Sequence, residues 1–155
     1  MKTLLIIQGI LLLSYLIIVR IKYGMTSSIS ATVHVLPGVQ KSLYSFFMVV
    51  VALPFILVLS SGWGFLAGAL LWIDAAAVSV SKKENPLQSF LHNFGAMGGI
   101  GVGMIYLALI GYFWLVLSYL LFMIFLYTNK IENKTYWNEC GALATAYMIM
   151  WQIVL

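Results

Sequence analysis

Seven of the eight Lys and Arg residues fall in three alternate gaps between apolar runs. The gaps hold Arg20, Lys22 and Lys41; Lys82 and Lys83; and Lys130 and Lys134, with Lys2 as the exception. The connections between them, around Ser60 to Trp63 and Gly111 to Phe113, carry no charge. Short basic loops stay on the cytoplasmic side of a membrane. The pattern therefore places the three gaps inside and both termini outside, and it requires an even number of spans. We read six. A chain of 155 residues that is 63% hydrophobic and 8% charged cannot hide its apolar side chains in one small aqueous core, so it needs lipid as solvent. The expected fold is all-α, a polytopic transmembrane helix bundle forming one integral domain over 1–155, multi-pass in the cell membrane.

The hydrocarbon layer needs roughly 17 to 25 helical residues per crossing. Apolar runs of that kind, free of Lys and Arg, cover Thr3 to Val19, Leu43 to Ser60, Trp63 to Val80, Pro86 to Leu109, Tyr112 to Thr128 and Tyr136 to Leu155. The first run lacks a small-x-small cleavage site and stops at Arg20-Ile21-Lys22, which reads as a retained anchor rather than a signal peptide. The stretch from Pro86 to Thr128 is too long for one span; Gly111, followed by Tyr112, Phe113 and Trp114, supplies a break with aromatics suited to the interface. Pro54 lies inside the second run and is expected to kink it. Asn85, Pro86 and Gln88 form a helix start, with Asn85 as cap and Pro86 in the first turn.

The connection from Ile21 to Ser42 is organised. At 100° per residue, Ser27, Ser30, Ala31 and His34 share one side of a helix and Met25, Ile29, Val33 and Leu36 the other. Thr26 or Ser27 caps its start and Pro37-Gly38 ends it. This predicts a short amphipathic interfacial helix over 26–36. Its polar face is neutral apart from His34, unlike a lysine-rich lipid anchor, so that face is expected to look into protein.

On the fourth span His92, Gly95, Ala96, Gly99 and Gly103 share a face. Glycines at four-residue spacing let another backbone or an acyl chain approach closely, so Gly95, Gly99 and Gly103 are candidates for a helix-packing seam or an acyl groove. Gly64 and Gly68, and Ala142 and Ala146, are possible counterparts. The run Gly99-Ile100-Gly101-Val102-Gly103 follows no strand and lies inside an apolar helix, which excludes a nucleotide loop. The net charge of +4 is spread over membrane-edge loops with no basic strip, which excludes nucleic acid as a partner. A single cysteine, Cys140, allows no internal disulfide. Asn133-Lys134-Thr135 fits a glycosylation acceptor but falls on the cytoplasmic side.

Chemistry rests on four ionisable groups: His34, Asp74, His92 and Glu139. The topology puts all four toward the cytoplasmic face. An ionisable group inside a span is costly to expose to lipid, so it marks a candidate site. Asp74 interrupts an uncharged span and shares its face with Ala67 and Ala77. Glu139 is expected in the first turn of the last helix, where a carboxylate complements the dipole. Two imidazoles and two carboxylates make an adequate shell for Zn²⁺. Ser30-x-x-x-His34 with Asp74 on a later span resembles the CREST group of membrane hydrolases, which includes the alkaline ceramidases and uses Ser, Asp and three His around zinc. The resemblance covers those three residues, with Ser30 and Asp74 as the catalytic candidates it implies. That group has seven spans and a late His-x-x-x-His pair, which this chain lacks.

Three functions follow as expectations. The first is a binding or accessory protein with a polar pocket near the cytoplasmic face, its partners being membrane lipid, a second copy or another membrane protein. The second is metal-dependent hydrolysis of a lipid. The third is a small proton or cation carrier, against which no ionisable group lies in the outer half of any span.

Overall fold

A computed structural model of the chain describes residues 1–59, 61–80 and 85–155. The protein is 86% helical, with no strand among the described residues. In chain order the helices are α1 (Lys2–Tyr23), α2 (Thr32–Val35), α3 (Lys41–Leu57), α4 (Gly62–Val80), α5 (Pro86–Leu107), α6 (Phe113–Thr128) and α7 (Lys134–Val154), with a 3-10 turn at Gly38–Gln40 before α3. The readings at Ser60 and at Lys82 and Lys83 lie outside the described residues. Two stretches are long and apolar enough to cross a membrane: Lys2–Tyr23, and the 43 residues Pro86–Thr128. Lys41–Leu57 and Gly62–Ala77 are shorter apolar helices.

The longer stretch is two helices. Gly111 has φ 112°, a conformation that a side chain resists, and the chain turns there within a π-type segment, Ala108–Tyr112. Residues 92 to 108 on one arm and 113 to 127 on the other face a common cleft, so the two arms run antiparallel from the turn. Asn85 caps α5, its Oδ1 accepting from the Leu87 amide at 3.1 Å, and Pro86 occupies the first turn. Pro54 lies inside α3, and the helix stops at Leu57, one turn later.

Helix α4 is the centre of one layer, packed along both α3 and α5, while α6 leans on α7 and barely touches α5. Helix α1 closes the bundle against α3 and α7. Polar ties fix it there: Gln8 Nε2 donates to the Val50 carbonyl at 3.1 Å, and the Tyr147 hydroxyl donates to the Leu5 carbonyl at 2.7 Å. Leu5, Tyr44, Leu107 and Ile149 are among the most deeply buried side chains. The outer faces of α1 and α6 remain apolar and bare, with Ile10 and Ile18 each 60% exposed and Trp114 74%.

The predicted helix over 26–36 is corrected to a single turn, Thr32–Val35. Its serines and threonines compete for the backbone: Ser28 Oγ accepts from the Ala31 amide at 3.0 Å and the Thr26 hydroxyl donates to the Ser28 carbonyl at 2.7 Å. The face is corrected as well. Ile29, Val33 and Leu36 are buried in the protein, and His34 is exposed. Burial of three aliphatic side chains decides which face of the segment turns inward.

Candidate functional site

Helices α4 and α5 approach so closely that Gly95 lies against the backbone of Leu70 and Asp74. That approach sets the site. Asp74 is buried to 1% exposure, and its Oδ1 meets Nδ1 of His92, one turn before Gly95 on α5. Its Oδ2 accepts from the Tyr44 hydroxyl of α3 at 3.3 Å. Three helices thus converge on one carboxylate. A buried charge or dipole in a low-dielectric interior needs such partners.

A cavity of about 50 Å³ adjoins this cluster and is lined by Ser30, Tyr44, Asp74, His92 and Glu139 against apolar walls that include Phe47 and Met104. It has room for one or a few waters. Beside it lies a cleft of about 700 Å³ between α5 and α6, which Ser30, His92 and Glu139 also line. The far part of the cleft is apolar, with Met104, Ile105, Ala108, Phe113 and Leu117 toward the turn at Gly111. Its other end is polar, with Ser28, Asn93, Thr135, Asn138 and the three shared residues. Such a size and a gradation from apolar to polar suit an amphipathic ligand.

Glu139 sits beyond the first turn of α7, which contains no acidic residue. Its Oε2 accepts from the Ile29 amide, and the Tyr136 amide donates to the Ser27 carbonyl at 3.1 Å. The carboxylate therefore holds the segment before α2 against α7 and serves as more than a dipole partner. Replacing Glu139 with Ala is expected to release the Ile29 amide, a local cost of about 1–3 kcal/mol. Hydrogen exchange should rise about tenfold or more at residues 27–31 and stay unchanged in α4. Equal protection in both proteins would remove this role.

The structure brings Ser30, Asp74, His92 and Glu139 to one cavity and leaves His34 off its lining. No three His, Cys, Asp or Glu side chains are grouped to hold a metal ion among the described residues. Asp74 and His92 engage each other, and Glu139 engages a backbone amide. The four-ligand zinc shell is therefore not assembled among the described residues.

Gly95, Gly99 and Gly103 face neighbouring helices: a Cβ on them would meet Asp74 and Leu70, Leu71 and Ala67, and Phe55 respectively. None lines the cleft. Gly101, on the other side of α5, does. Sequence reasoning missed Tyr44, Asn138 and the cleft itself. A tyrosine one turn after Lys41 reads as an interfacial aromatic, and a gap between diverging helices has no local signature. The chain matches no protein-family model, no curated protein and no solved structure.

Proposed function

We propose that this chain is a multi-pass membrane protein that binds a lipid, one acyl chain lying in the α5/α6 cleft and the polar head meeting His92, Asn138 and Glu139. In this reading α1 and α3 to α7 all cross the bilayer, with the basic loops cytoplasmic and both termini outside. Helix α3, with 17 residues, is about 25 Å long, near the lower limit for a crossing. The bare apolar outer faces of α1 and α6 support immersion in lipid. Asn138 and Glu139 of α7 are turned to the cleft and away from lipid.

The observation that carries the reading is the cleft. It opens between two helices that scarcely touch, is apolar toward the turn at Gly111, and ends in hydrogen-bonding groups beside the Asp74–His92 pair. From His92 to Ala108 it runs about 24 Å along α5, the scale of one acyl chain with part of its head. Three methionines, Met97, Met104 and Met123, line it and adapt to a flexible occupant.

The test is photo-crosslinking in bilayers with a phospholipid carrying a diazirine on its acyl chain. Peptide mapping should find label on the cleft-facing residues of α5 and α6. Ala96, which lines both cavities, is the place to block it. In Ala96→Trp the indole fills the cleft, and labelling there should fall about tenfold while helix content is kept. Undiminished labelling would sink the proposal.

Hydrolysis of the bound lipid is a second reading, favoured by one observation. Asp74 engages Nδ1 of His92, which leaves Nε2 as the ring nitrogen available to a ligand in the cavities that His92 lines. His92 would then act as general base toward a water or toward the Ser30 hydroxyl, with Asp74 fixing the tautomer. Release of free fatty acid that vanishes in His92→Ala, with lipid labelling retained, would select it over simple binding.

A further inference from the structure

We propose that the groove between α1 and α3 is a second lipid site, selective for an anionic glycerophospholipid, with the phosphate at Lys22. The inference rests on the membrane reading above and is independent of the α5/α6 cleft. The groove has a volume of about 410 Å³ and is walled by apolar side chains, among them Leu12, Ile18, Leu43 and Val50. Of its polar residues, Ser14 and Tyr15 lie along its length, the Tyr15 hydroxyl engaged with Thr32 Oγ1 at 2.5 Å, and Lys22, Tyr23 and Gln40 stand together at one end. There the Tyr23 hydroxyl donates to Gln40 Oε1 at 3.0 Å, which ties the end of α1 to the turn before α3 and leaves the Gln40 amide nitrogen as a donor. Lys22 Nζ lies 5.4 Å from the Tyr23 ring centroid, held at the groove mouth by a cation–π contact.

Charge selects the occupant. The first 73 residues contain Lys2, Arg20, Lys22 and Lys41 and no Asp or Glu. Three of those cations lie at the end of α1 and the start of α3, where the groove opens, and Arg20, Lys22 and Lys41 are all exposed. A basic pocket between spans on the cytoplasmic side recognises a phosphate headgroup. Length selects it too. From Leu11 to Lys22 the groove follows α1 for about 16 Å, close to half of a hydrocarbon layer of about 30 Å. That is the reach of one leaflet's acyl chain; a helix from another subunit would cover the whole of α1.

Native mass spectrometry of the detergent-purified full chain tests this with phosphatidylglycerol and phosphatidylcholine of identical acyl chains. The wild type should favour phosphatidylglycerol about fivefold, the effect of one well-placed cation. Lys22→Gln, an exposed change that leaves the fold intact, should bring the ratio near one. Leu43→Trp, at an exposed groove wall, should lower binding of both lipids. Equal binding by the wild type, or a preference that survives Lys22→Gln, would overturn the site. A chain that stays in solution without detergent would overturn the membrane reading instead.

Discussion

Gly95→Ala is expected to push α4 and α5 apart and to lower stability by about 3 kcal/mol, at the upper end for overpacking. A Cβ there would sit 2.5 Å from the Asp74 amide nitrogen and 2.6 Å from the Leu70 carbonyl oxygen. Both are backbone atoms of a helix, so no side chain can swing away to make room. Gly101→Ala is the control on the same helix. Nothing lies within 4 Å of a Cβ at that position, and replacing a mid-helix glycine there should gain about 0.5–1 kcal/mol. Thermal unfolding in detergent should thus separate two identical substitutions by sign. Equal midpoints would mean that α4 and α5 do not meet at Gly95.

Asp74→Ala is expected to cost about 3–5 kcal/mol, because it strips the partner from Tyr44, whose side chain is 1% exposed, and from His92. Tyr44→Phe should cost nearer 1 kcal/mol, since it removes one hydroxyl and leaves Asp74 with His92. In the double variant the Tyr44 change should cost almost nothing, because its acceptor has already gone. A double-mutant cycle on unfolding midpoints measures this, and purely additive losses would show that Tyr44 and Asp74 do not interact. The two predictions are linked through geometry. Gly95 rests on the backbone of Asp74, so the close approach that alanine would break is the one that brings His92 to the carboxylate.

The helices were legible because their signals are local. Capping at Asn85, the break at Gly111 and the apolar runs each depend on neighbours in sequence. The segment 26–31 departs from the helix that its apolar spacing predicts, because its side chains find other hydrogen bonds. The serines satisfied the backbone locally, and Glu139, 110 positions away, took the Ile29 amide. No periodicity in the segment itself registers such a partner. His34 and Ser30 sit four positions apart, yet Ser30 lines the cavity and His34 is exposed, because Ser30 lies in the turn before α2 and does not share the helix that carries His34.

Asp74 and His92 were singled out by the cost of placing such groups among apolar residues, which sequence alone registers. Their pairing depended on tertiary structure, since nothing local to either segment selects the other. The glycine stripe likewise fixed that α5 has a close-packing face, and only the fold decided that α4 occupies it and that the opposite face opens to α6. Composition and spacing determine which segments are helical and which faces are small or polar, because these are properties of a few adjacent residues. Which faces meet, which carboxylate accepts from which donor, and where a cleft remains are decided by the packing of whole helices, where a shift of an ångström changes every contact at once.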